Sequence, residues 1–154
     1  MPTLAPGLVF EIATPEGLAY FQYVSRDGDY GELIRVLPGV FRTRPEDPLS
    51  LALEEELYSV FFPVSAALRR GIVTKVGKGL IPGGKWRRRS MRRPGAREKG
   101  GRILTWVIEE EGGERVVNTL APEQLKLPMA VIWNDTMLKE RIAEGWRPED
   151  EIEQ

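Results

Sequence analysis

Apolar and polar residues alternate near the start of the chain. Leu8, Phe10 and Ile12 fall on one side of the segment 7–13, the two-residue period of a half-buried strand. TPEG at 14–17 has turn chemistry, and the aromatic-rich LAYFQYV at 18–24 predicts a second strand. RDGD at 26–29 predicts a hairpin turn, with Asp27 and Gly28 suited to positive φ, and GELIRVL at 31–37 is the returning strand. Together these segments predict an antiparallel meander.

A proline-punctuated loop at 38–48 interrupts the pattern. The segment 51–57 fits helix or strand, whereas 58–62 is β-prone and Pro63 ends any ladder there. Val64 to Arg70 predicts a short helix closed by Gly71, and 72–76 a further strand. RILTWVIEEE and ERVVNTL flank Gly112 and Gly113, which predicts a hairpin with the glycines as its two-residue turn. That register sets Glu110 opposite Arg115, Ile108 opposite Val117 and Trp106 opposite Thr119, with Glu111 against Glu114 as its one unfavourable pair. Near the end, Asn134 or Asp135 caps a helix carrying Met137, Leu138 and Ile142, Gly145 closes it, and 147–154 reads as an acidic frayed tail. Six or seven short strands without a βαβ rhythm predict a single α+β domain over 1–154. The expected architecture is a small antiparallel β-sheet or partly open barrel with one short central helix and a C-terminal helix.

Charge changes this picture. The chain carries 22 Lys and Arg against 23 Asp and Glu, yet 85–102, KWRRRSMRRPGAREKGGR, holds nine basic residues and one acid. It reads as a flexible arginine-rich loop on an acidic body. Such a loop binds an external polyanion or folds back on the protein's own glutamates, and composition does not choose between them.

The chain has no Cys and no His, which removes disulfides, thiolate nucleophiles, Cys-ligated zinc and the usual neutral-pH base. Carboxylate and lysine chemistry and oxygen-ligated cations are left. No run approaches the roughly 18 apolar residues of a membrane helix, and MPTLAPGLVF lacks a basic region before a long apolar stretch. The expectation is a cytoplasmic protein with no membrane partner.

Lys85, Trp86, Arg87, Arg88, Arg89, Arg92, Arg93 and Arg97 are the candidate partner- or polyanion-binding residues. Arginine offers forked donors to phosphate or carboxylate and stacks on bases, and Trp86 would add an aromatic platform. Nucleic acid, an acidic protein surface and a solvated loop without a specific role all remain open readings. GKGLIPGG at 77–84 lacks the Lys-Ser or Lys-Thr ending of a phosphate loop and reads as a plain connection. The triplets 54–56 and 109–111 read as solvated acidic faces, because adjacent strand residues point to opposite sides. Trp106, Trp133 and Trp146 read as core. Ser65 and Ser90 have no neighbouring base to activate them, so no catalytic residue, metal or cofactor is expected.

Three blocks, GLVFEIATPEGLAYFQYV, ELYSVFFPVSAALRRGIVTKVGKGLIP and AVIWNDTMLKERI, resemble in order the opening hairpin, the central strand-helix-strand segment and the C-terminal helix of immunity protein family 26 of bacterial polymorphic toxin systems. The resemblance implies a small non-enzymatic intracellular protein that neutralises a toxin by binding it. It supplies no catalytic residues. The arginine-rich stretch after Gly84 is not part of that pattern.

Overall fold

The computed structural model describes residues 4–83 and 90–152. Among them, nine strands form one open mixed sheet: β1 (Leu8–Thr14), β2 (Gly17–Asp27), β3 (Gly31–Val36), β4 (Tyr58–Phe61), β5 (Val73–Lys78), β6 (Met91–Pro94), β7 (Trp106–Glu110), β8 (Gly113–Val117) and β9 (Met129–Ile132). Their order is β5-β1-β2-β3-β4-β9-β6-β7-β8. The helices are α1 (Val64–Arg69), α2 (Pro122–Leu125), α3 (Asp135–Glu144) and α4 (Pro148–Ile152), with a 3-10 turn at Pro48–Leu53. The fold is therefore α+β and β-rich, with a sheet that is mixed rather than purely antiparallel.

The meander of β1 to β4 forms by local antiparallel pairing, as its alternating pattern predicts. Phe10, Ile12, Phe21, Ile34 and Val60 line one face and pack with α1 and α3 residues such as Ala67, Leu138 and Ile142. Val9 and Tyr20 face the other way, onto Leu37 and Ala52. Burial on both faces explains why β2 is apolar over much of its length.

Two turns differ from expectation. In the β2–β3 hairpin the positive φ belongs to Gly31, while Asp27 accepts hydrogen bonds from the backbone N–H groups of Asp29 and Tyr30. The β7–β8 hairpin turns at Glu111 and Gly112, one residue early, so Ile108 faces Arg115 and Trp106 faces Val117. That register places Glu109 directly opposite Glu114. The like charges are offset by Arg93 of β6, which lies 3.8 Å from Glu109 and 3.1 Å from Glu114.

The largest correction concerns the arginine-rich stretch. Lys85, Trp86, Arg87, Arg88 and Arg89 lie outside the described residues, but 91–94 is a strand inside the sheet rather than part of a flexible loop. β6 pairs with β7 on one side and with β9 on the other, where Arg92 meets Met129 in parallel. It thereby joins the meander to the β7–β8 hairpin, whose Trp106 and Ile108 form a separate small core with Leu120 beyond β8. At the C-terminus Pro148 opens the short helix α4, and the Arg147 N–H donates to the Asp150 carboxylate, where the acidic tail was expected to fray from 147.

Two buried polar groups tie the meander to its loops. Arg35, fully buried, donates to Gln22, to the carbonyls of Ala52 and Glu54, and to the Glu56 carboxylate at 3.3 Å. Burial pulls its guanidinium below the ordinary arginine value, and Glu56 pushes it back up. Gln22 in turn donates to the carbonyls of Gly7, Gly79 and Leu80. Near the surface, Glu11 accepts from Tyr20 at 2.6 Å and from Arg44 at 2.8 Å.

Arg35→Ala is expected to cost about 3–5 kcal/mol, because it strands a buried carboxylate and several buried acceptors; urea unfolding measures it, and a loss below about 1 kcal/mol contradicts the network's role. The Arg44 hydrogen bond holds Glu11 below the usual carboxylate range, opposed by burial and helped by Tyr20. A depressed carboxylate contributes stability above its unfolded value, about 4.3, and loses it as pH falls through the lower folded value. Arg44→Ala should therefore flatten the decline in stability below that pH, followed by thermal midpoints on the acid side.

Candidate functional site

β6 and β9 share a single parallel pairing and then part. The Arg92 N–H donates to the Pro128 carbonyl at 3.0 Å. In a parallel ladder the next such bond would come from residue 94, and Pro94 has no N–H to give. Gly95 follows, against which Thr105 packs so closely that a Cβ would lie 2.5 Å from its hydroxyl. The chain after β6 thus follows β7 and leaves β9.

The divergence opens a groove of about 700 Å³. β6 and the loop after it contribute Arg92, Pro94, Arg97, Arg102 and Ile103. β9 contributes Met129 to Ile132, and α3 with its flanks contributes Trp133, Met137, Arg141 and Trp146. Among the described lining residues four are arginines and none is an Asp or Glu.

The loop between β6 and β7 is built to hold two of these cations. Arg97 bridges to Ile103 and donates to the Gly101 carbonyl at 3.0 Å. The Glu98 N–H donates to the Arg102 carbonyl at 2.8 Å, closing a tight turn between them. Both side chains belong to exposed residues. Arg141 comes from α3, whose N-cap Asn134 accepts from the Met137 N–H and whose end Gly145 closes in the left-handed conformation. Its guanidinium sits 5.3 Å from the Trp146 ring and 3.8 Å from Glu144.

Beneath the cations lies an aromatic cluster. Trp133 and Trp146 pack edge to face with ring centroids 5.3 Å apart, and Tyr58 contacts both. The two indoles are only 5% and 8% exposed. Burial raises the Tyr58 phenol well above its ordinary value, and the charges of Arg141 and Arg147 pull the other way.

The sequence-derived candidates therefore divide. Arg93 is engaged by Glu109 and Glu114 of its own chain. Arg92 is 1% exposed and lies over the Trp106 ring at 5.0 Å. Arg97 faces the groove, and Lys85 to Arg89 lie outside the described residues. Arg102, Arg141, Trp133 and Trp146 were not among the expected site residues. Arg102 stands at the end of the basic stretch, but nothing local in the sequence connects it with α3.

Among the described residues no group of three or more acidic side chains is placed to hold a metal ion, and no helix is long and apolar enough to cross a membrane. The glutamate triplets are partly engaged: Glu55 with Lys126, Glu56 with Arg35, Glu109 with Arg93 and Glu110 with Arg115.

The exposed and the buried arginines of the groove should respond differently to truncation. Arg102→Ala is expected to change stability by no more than about 0.5 kcal/mol, whereas Arg92→Ala should lose about 3 kcal/mol or more through the cavity it leaves. Urea midpoints of the two variants test this, and equal losses would mean that Arg102 is structural. No protein-family model, no curated protein and no solved structure matches this chain.

Proposed function

We propose that the protein is a non-catalytic binding protein, similar in role to a toxin-immunity protein, that holds an acidic protein partner through the groove between β6 and β9. One observation carries the reading. The described residues that line the groove include four arginines and no carboxylate, and Arg97 and Arg102 among them are exposed, in a chain whose acids slightly outnumber its bases. Positive charge kept together in a concave site costs mutual repulsion, and that cost is offset when a partner brings the anion.

The resemblance to immunity protein family 26 in three ordered blocks supports the same role. It rests on those blocks alone. The groove includes residues of the third block, Ala130 to Trp133, Met137 and Arg141, together with Arg92, Arg97 and Arg102 of the stretch outside the pattern. A partner seated there would contact both the shared scaffold and the feature particular to this chain.

Nucleic acid is the less supported reading at this site. Base recognition by stacking needs open ring faces, and the two groove tryptophans are packed against each other, Tyr58 and Arg141.

The test is co-expression with the products of neighbouring genes, followed by gel filtration. A one-to-one complex is expected, with neither component chemically changed on incubation. Combined Arg97→Glu and Arg102→Glu substitutions should weaken it at least tenfold. The reading fails if no neighbouring product forms a complex, or if the double variant binds as tightly as the parent.

A further inference from the structure

β9 stands in the middle of the strand order, yet past Met129 it behaves as an edge. Val131 is 39% and Ile132 56% exposed, whereas the central strands β2, β3 and β4 are largely buried. On one side β9 pairs with β4, where Ile132 meets Phe61 and the Trp133 N–H donates to the Phe61 carbonyl at 2.9 Å. On the other side the ladder to β6 stops at Arg92 and Met129. Backbone groups alternate sides along a strand, so the Ala130 carbonyl and the Ile132 N–H point away from β4, toward the groove.

From this we infer that the groove takes an extended, acidic segment of a protein partner by strand addition along β9, completing the ladder that Pro94 breaks. The inference rests on the binding reading above and names the form of the ligand. Main-chain hydrogen bonds to Ala130 and Ile132 supply register, and alternate side chains of the added strand face opposite ways. Carboxylates on one side of it meet Arg97 and Arg102, and Arg141 lies at the α3 side of the same groove. Apolar side chains on the other meet Ile132 and Met137, which are exposed. Charge complementarity selects this occupant: an exposed strand edge beside arginines, with no carboxylate among the described lining residues, disfavours a basic or neutral strand, a second copy's arginine-bearing β6 among them.

The site also has the stiffness that strand addition requires. β9 runs into the N-cap of α3, and α3 is anchored by Leu138 and Ile142 in the main core. The opposite wall is braced by the bond from the Ala96 N–H to the Thr105 hydroxyl and by the Arg97–Ile103 bridge.

The probe is a synthetic blocked hexapeptide of alternating glutamate and valine, titrated against the intact protein. Tryptophan emission reports binding, and 15N-labelled amide spectra report its place. The peptide is expected to bind in the micromolar to millimolar range and to shift the Ile132 amide. Two further versions carry N-methyl groups at odd or at even residues, each removing the donors of one peptide edge. One version should lose at least tenfold in affinity and the other should not. Arg102→Glu should also weaken the unmodified peptide at least tenfold. Strand addition is overturned if both methylated peptides bind like the parent, if no peptide binds at millimolar concentration, or if a mixed-sequence single-stranded oligonucleotide binds more tightly than the peptide. Should the peptide fail while the co-expressed partner still depends on Arg97 and Arg102, strand addition is wrong and the binding reading stands. A partner complex indifferent to those arginines removes both.

Discussion

The architecture turns on one short parallel contact, Arg92 of β6 against Met129 of β9. To one side of it lies the antiparallel meander with its large core, and to the other the β7–β8 hairpin over its own small core. Without that contact the sheet would be two pieces. Its brevity has a covalent cause, since Pro94 cannot donate to the next rung. A residue with an N–H at 94 would restore the donor for that rung, while the bond from the Gly95 N–H to the Thr105 carbonyl holds the following segment toward β7. The imino acid that ends the pairing, together with the packing of Gly95 on Thr105, thus opens the groove and leaves an exposed strand edge inside a nine-stranded sheet.

The basic stretch illustrates how far charge counts are from charge function. Three of its arginines stand close together in sequence and have different fates. Successive residues of a strand point to opposite faces, so Arg92 turns into the protein over Trp106 while Arg93 turns to the glutamates of β7 and β8. Arg97, beyond the strand, is released to the groove. The Arg93 contact also bears on register: a hairpin with Glu109 facing Glu114 is unfavourable by itself, and a neighbouring strand supplies the cation that makes it tolerable.

The meander, the short helix closed by Gly71 and the capped helix α3 were legible because their signals are local. Period-two alternation, turn residues and caps act within a few positions. β6 and β9 were not legible for the same reason. MRRP has poor strand propensity and ends in proline, and it becomes a strand because β7 and β9 lie on either side of it. β9 is short, and its pairing to β4 and β6 joins residues far apart in the chain. The hairpin turn was misplaced by one residue because Gly112 and Gly113 fit either turn equally well by composition, and the cross-strand partner that decides, Arg93, was assigned to a loop. The groove inherits these difficulties. It is made where two nonlocal strands separate, so only Arg97 among its exposed cations was marked in advance.

The groove's cations are not equivalent. Arg141 already lies over the Trp146 ring and beside Glu144, so an arriving carboxylate would exchange one anion for another at that position. An exchange of this kind adds direction more than affinity, because the existing partner must be given up. Among the described residues Arg97 spends one guanidinium nitrogen on the Gly101 carbonyl, and no ion pair to an acid engages Arg97 or Arg102. A neutral acceptor leaves the positive charge uncompensated, which makes these two the positions where an external anion gains most. The turn between them matters for the same reason: its backbone is fixed by the bond from the Glu98 N–H to the Arg102 carbonyl, so ordering on binding is limited to the side chains. Under the proposed reading, Arg141 would orient the ligand and the pair at 97 and 102 would hold it.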